Sequence, residues 1–350
     1  MAEPKAIAFS HVPVREDWLA LNVEPALDPE LPIIDCHHHL WDRPDGTYLY
    51  PELLSDIKSG HRIAGTVFVQ CRSMYRKNGP LALRPLGEVE FVNGVAAMAA
   101  SGIYGETLAC GGIVGCADMT LAAEIAPILD RMQQHTDRLK GIRFPVAFHN
   151  DPAVQSTPVA PPEGLLQSPS FIRSSQILAQ RELTLDVWAY QTQLHEIVQL
   201  SLSVPDLTIV VDHCGGPIRV GGYRDRPREA FDAWRAGIEA VASRPNIRMK
   251  LGGLGMKVNG FDLHLLPEPP TSDHLSQIWQ PYIDFCIEAF GVTRCMFESN
   301  FPVDKGMVGY ANLWNGYKRI AASRTAQERH ALFFETARQT YSLNDMYPLG

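Results

Sequence analysis

The sequence predicts an α/β chain folded as a single-domain (β/α)8 TIM barrel, and three observations predict it. Short apolar runs of strand length alternate with segments of helical periodicity, the pattern of a parallel sheet. Eight such units fit in about 310 residues, the scale of a closed barrel. No GxGxxG or P-loop follows any strand, so the doubly wound open sheet lacks its phosphate-binding signature.

The elements follow in order. Residues 1–30 read as an N-terminal extension that wraps the barrel proper, 31–350. Strands are expected at 31–36, 63–71, 108–116, 139–144, 183–188, 207–213, 247–251 and 293–298, short apolar runs in which Val, Ile and Leu recur in all but the last. Helices are expected at 88–101, 119–135, 170–181, 191–203, 228–243, 275–290 and 309–323. Long loops follow strands 2, 4 and 7, at 72–87, 145–167 and 252–274. They lie on the C-terminal side of the strands, where barrel enzymes build their sites.

Composition bounds the function. The 350 residues are 45% hydrophobic and 20% charged, with a net charge of -8, an ordinary globular balance with no basic segment for nucleic acid. No run approaches the length of a membrane span, and residues 1–17 lack a signal peptide's apolar core. Seven cysteines without a CxxC pair suit buried free thiols in a reducing, cytoplasmic setting. The expected partner is a small-molecule substrate, with no nucleic acid and no membrane. A homo-oligomer is the expected assembly, and a hetero-oligomer is the alternative.

Polar residues concentrate at the predicted strand ends. In the run Asp35-Cys36-His37-His38-His39, alternation puts Asp35, His37 and His39 on one face, an arrangement suited to a divalent metal. His38 then faces away. Strand 2 offers Arg72 and Tyr75, strand 4 Arg143, strand 5 Asp186 with Trp188 and Tyr190 on the same face, and strand 7 Lys250. Strand 6 ends in Asp212-His213, of which one or both could simply cap the loop. Glu298 follows a buried apolar strand and needs a charged partner, since burying a lone carboxylate is costly; a metal is the natural one.

Four segments, IIDCHHHLWD, LTIVVDHCGGP, MKLGGLGM and CMFESNFPVDK, make the chain resemble the amidohydrolase superfamily over residues 31–341. The resemblance is to its amidohydrolase-related branch of TIM-barrel metal-dependent hydrolases, which holds lactonases and aromatic-acid decarboxylases. It implies that His37 and His39 are a metal-ligand pair and His213 a further ligand. The family's strand-8 aspartate, its general base, falls at Asn300, which cannot accept a proton. Glu298, two residues earlier, is expected to take over that role. No strand-5 His or Lys ligand is evident.

The expected function is therefore hydrolysis of a small anionic lactone or amide by metal-activated water. The metal, Zn or Mn with Fe as the alternative, is expected on His37, His39, His213 and Glu298. Glu298, His213, Asp186 and Arg143 are the expected catalytic residues, and Arg72, Tyr75, Trp188, Tyr190, Lys250 and Asn300 the substrate-binding ones. Alternatives are non-oxidative decarboxylation of an aromatic acid, a dinuclear Mn/Fe oxygenase drawing on Glu88 or Glu90, and a non-catalytic partner subunit.

Overall fold

The computed structural model describes residues 11–44, 46–157 and 160–343. Eight parallel strands form one sheet: β1 (Ile33–His38), β2 (Ile63–Val69), β3 (Leu108–Gly115), β4 (Leu139–Arg143), β5 (Thr184–Val187), β6 (Ile209–Val211), β7 (Ile247–Leu251) and β8 (Cys295–Phe297). Each pairs with the next in sequence order. The ring closes just beyond β8, where His38 bridges Phe301 and the Asn300 N–H donates to the His37 carbonyl at 2.9 Å. The fold is the expected (β/α)8 barrel.

The strands are buried almost throughout, as parallel strands covered by helices must be. The outer helices bury one stripe each. In Ser272–Phe290, Leu275, Trp279, Ile283 and Ile287 recur every fourth residue on the buried side, and Thr271 caps the start by accepting the His274 N–H. Two helical segments were not expected from the sequence: Tyr50–Ile57 between β1 and β2, and the C-terminal run from Ala326 to Thr340.

That C-terminal run plugs the bottom of the barrel. Ala337, Tyr341 and Leu343 pack on the inward-facing Ile34, Cys36, Val67, Val69, Val114, Val210 and Met296. The top stays open for chemistry. Residues 11–31 lie across the outside, tied down by Trp18 Nε1 to the Leu266 carbonyl at 3.1 Å, and by Asn312, Asn315 and Lys318, which bond the segment's backbone.

The alternation expected in β1 is broken. Asp35 pairs with Thr66 but His38 with Phe68, so one extra residue is accommodated between them. Cys36 and His37 therefore both reach the interior, and Asp35 turns away. Its carboxylate accepts the Ser299 N–H at 2.9 Å and the Tyr310 hydroxyl at 2.9 Å, so it ties β1 to β8 rather than joining His37. His38 also faces away, with Nε2 2.8 Å from the Thr66 hydroxyl. All seven cysteines are free, and among the described residues no helix is long and apolar enough to cross a membrane.

Candidate active site

A column of buried charge rises along the barrel axis. At its base the Tyr341 hydroxyl donates to Asp186 at 2.7 Å. Lys250 sits above, 2.6 Å from Asp186 and 3.1 Å from Asp212. Arg143 reaches Asp212 at 3.3 Å and donates to the Gln70 carbonyl at 2.6 Å. His37 lies among them, with Nδ1 2.8 Å from Glu298 and 3.2 Å from the Lys250 ammonium, and Nε2 3.2 Å from Arg143. His213 completes the group, with Nδ1 2.6 Å from Glu298. Three carboxylates, Asp186, Asp212 and Glu298, are thus faced by two fixed cations, Lys250 and Arg143. One negative charge is left for a further cation to balance.

The histidines are set for ligation. Carboxylate and carbonyl oxygens accept only, so the contact of His213 with Glu298, and that of His39 with the Val69 carbonyl at 2.8 Å, put their protons on Nδ1. The Nε2 lone pairs of His39 and His213 are then available, whereas both nitrogens of His37 face cations, Nε2 accepting from Arg143 and Nδ1 lying 3.2 Å from Lys250. Burial, reinforced by the Lys250 charge, lowers the His37 pKa, and burial with the neighbouring imidazole and arginines lowers that of His39. Both shifts are toward the neutral ring, the form that binds metal. Burial pushes against ionisation of Asp212, but Lys250 and His37 overcome it and hold its pKa well below the usual range. Glu298 behaves alike: burial opposes its charge, yet the two imidazoles bring its pKa down to about 2.

His37, Asp212 and His213 bring donor atoms within 4.8 Å of one another. Asp212 Oδ1 and Glu298 Oε2 are buried without an aligned hydrogen bond, with the Lys250 ammonium 3.1 Å from the first and His37 Nδ1 2.8 Å from the second. Two imidazoles and two ionised carboxylates, each with an oxygen that makes no aligned hydrogen bond, are the donor chemistry of a divalent metal, so these residues fit one. Asp212 is the member that sequence reasoning passed over. The signal was present: it ends the apolar run Ile209–Val211, and the argument applied to Glu298 covers it equally.

Local backbone makes room for this group. From His213 to Gly216 four successive residues hold positive φ, 57, 51, 68 and 61°. Gly253 is required beneath them, since a Cβ there would lie 2.4 Å from the His213 ring, and one on Gly252 would lie 2.5 Å from Glu298. The glycines of MKLGG are therefore clearance for two site residues.

Above the column opens a cavity of about 190 Å³. His39, Arg72, Arg143, Trp188, His213 and Asn300 line it, together with His11 and Val12 from the N-terminal segment. Not every expected site residue reaches it. Lys250 and Asp186 are fully buried, pair with each other at 2.6 Å and are not part of the cavity lining. Tyr190 turns its hydroxyl to Ser156 at 2.7 Å and packs with Ala147, Ile218 and Val258 behind the wall. Tyr75 also lies outside the lining. Asn300 donates through Nδ2 to Asp304 at 2.9 Å, and its Oδ1 is buried without a partner. Glu88 and Glu90 join no cluster with the histidines: Glu88 accepts backbone N–H groups, and Glu90 pairs with Arg76.

The family model for amidohydrolases matches residues 34–343. This chain belongs to the amidohydrolase family. It is an enzyme, and among similar proteins is the uncharacterized protein y4mH of Sinorhizobium fredii, 30% identical over 89% of this amidohydrolase and 99% of that protein. The L-fucono-1,5-lactonase of Burkholderia multivorans is 30% identical over 174 residues, 49% of this chain and 56% of the lactonase. A crystal structure of a Burkholderia multivorans amidohydrolase with bound zinc superposes with a TM-score of 0.67 at 23% identity, over 89% of this chain and 99% of that one.

Proposed function

We propose that the amidohydrolase hydrolyses a small anionic lactone. The observation that carries this reading is the convergence of His37, Asp212 and His213, with two carboxylate oxygens that make no aligned hydrogen bond, beside a cavity that His213 lines and whose wall bears arginine. Likeness to a lactonase supports it. His37, Asp212 and His213 would hold a divalent metal, with His39 and Glu298 beside them. Such an ion, zinc or manganese, supplies Lewis-acid polarisation of a carbonyl and an acidified water.

The chain's own residues do the rest. Glu298 stays ionised at neutral pH, orients the His213 imidazole through its Nδ1 proton and lies 2.8 Å from His37 Nδ1. His39 Nε2, on the cavity lining and outside the metal set, with its Nδ1 proton held by the Val69 carbonyl, takes the proton released as water adds to the lactone carbonyl. Returned to the ring oxygen as the ester bond breaks, the same proton completes the turnover. Asn300 Oδ1, its amide fixed by Asp304, accepts a hydrogen bond from the water or a substrate hydroxyl. Trp188, whose ring lies 5.0 Å from that of His213, walls the cavity.

The test is a titrimetric lactonase assay over neutral and carboxylated five- and six-membered lactones, with His39→Asn as control. Turnover of a carboxylated lactone, lost by at least 100-fold in the variant, supports the reading. Turnover of aromatic acids to carbon dioxide, with no lactone hydrolysed, replaces it with decarboxylation.

A further inference from the structure

We propose that Arg72 is the anchor for the substrate's carboxylate and that Glu88 is the positioning residue that sets it. This inference rests on the anionic-substrate reading above and deepens it, by naming which cation does the holding and what aims it.

The cations of the site differ in what they have left to give. Lys250 is fully buried between Asp186 and Asp212. Arg143 already serves Asp212, the Gln70 carbonyl and His37. Arg43 lies over the Trp41 ring, 4.0 Å from its centroid, and donates to the Cys71 carbonyl. Arg72 lines the cavity, is exposed, and makes no side-chain hydrogen bond or ion pair among the described residues. Its guanidinium is free to form the two parallel bonds with which arginine takes a carboxylate.

Arg72 is also held in a backbone conformation that its side chain does not favour, with φ of 65°. The hold is visible. Glu88, fully buried on the helix Leu86–Ala100, uses a single oxygen to accept the N–H of Cys71 at 3.0 Å and that of Ser73 at 2.8 Å. The two donors flank Arg72, and Arg43 fixes the intervening Cys71 carbonyl from the other side. A loop clamped on both sides of one strained residue, with that residue's side chain on the cavity, is a device for aiming it. The clamp depends on the reach of Glu88 and on an acceptor at its tip. It does not depend on charge.

Calorimetric titration of the whole chain with benzoate and with its neutral isostere benzamide tests this without requiring turnover. The wild type is expected to bind benzoate more tightly. Arg72→Ala should weaken benzoate about tenfold and leave benzamide unchanged, a factor typical of one charge-assisted pair. Glu88→Gln keeps reach and acceptor and should keep benzoate affinity. Glu88→Asp keeps the charge but withdraws the oxygen, and should weaken benzoate as Arg72→Ala does. Benzamide binding reports that each variant is folded.

Unchanged benzoate affinity in Arg72→Ala overturns the anchor. A loss in Arg72→Ala with none in Glu88→Asp, or an equal loss in Glu88→Gln, overturns the positioning role. A wild type with no preference for benzoate overturns the anionic-substrate reading itself.

Discussion

Glu298 holds two imidazoles at once, and that places it under two opposed demands. It must remain charged in a fully buried position, and His213 and His37 make this possible. Breaking one partner of such a group costs about 3–5 kcal/mol, because the others are left buried and uncompensated. Glu298→Ala should therefore lower the melting temperature by several degrees. Glu298→Gln, which still fills the space, should act mainly on turnover, by about 10- to 100-fold, as loss of a ligand-orienting partner does. Thermal melts and kcat together separate the two effects.

Asp304 titrates in the opposite sense. Burial raises its pKa from 3.8 to about 7, against the Gly255 and Asn300 hydrogen bonds that lower it. Between those values the folded chain keeps a proton that the unfolded chain has released. Stability from this group is therefore present at acid pH and falls as pH rises through the window, by about 1.4 kcal/mol per unit for one fully titrating proton. Burial also raises Asp35 to about 6 and Glu88 to about 7, so they add the same sign. The buried histidines His37, His38, His39 and His61, whose pKa values burial lowers, oppose this decline in wild type and variant alike, so the decline due to Asp304 is read as a difference: the melting temperature of Asp304→Asn minus that of the wild type should rise from pH 5 to pH 7. A difference that does not change with pH would assign the decline to the other two carboxyls.

At the scale of elements, the barrel was legible because parallel strands buried on both faces announce themselves as apolar runs. β7 at Ile247–Leu251 coincides with its expected span, and β2, β3 and β4 differ from theirs only at their C-terminal ends. β1 was misread by two residues and one slip, because period-2 alternation gives no warning of a bulge. That is why Asp35 was grouped with His37. The helix Tyr50–Ile57 escaped because its eight residues carry too short a stripe to show periodicity.

Within the site, the histidines of β1 and β6 stood out by residue type, whereas Asp212 was hidden by its plain role as a loop cap. Tyr190 looked like a site residue only while the strand was extended past its true end at Val187. Gly253 belongs to this scale, since the β7 loop exists in its present path because no Cβ intrudes on His213. Gly253→Ala meets both that contact and a φ of 63°. It should cost about 1–3 kcal/mol of stability and displace His213 enough to lower kcat by about 100-fold. A variant that melts earlier yet retains full kcat would show that the ring position is not critical.

The whole molecule is organised around one column: a hydroxyl at the sealed end, alternating carboxylates and cations along the axis, and imidazoles at the open end. The C-terminal plug supplies the first member through Tyr341, so the end of the chain supports the site from beneath. The surplus of carboxylates at the imidazole end is what the account assigns to a metal ion. If so, loading the ion is also a folding term, since a ligand that binds only the folded chain raises its stability. Chelation should lower the melting temperature of the purified protein, and added zinc or manganese should restore it.

The most direct test of the central claim is elemental analysis of protein purified without added metal, beside His37→Ala and Asp212→Asn variants whose folding is checked by circular dichroism. The account predicts about one zinc or manganese per chain, lost in both folded variants. Protein that hydrolyses lactones at full rate with no bound metal, and equally well in Asp212→Asn, would contradict it and leave the column as a purely structural ion network.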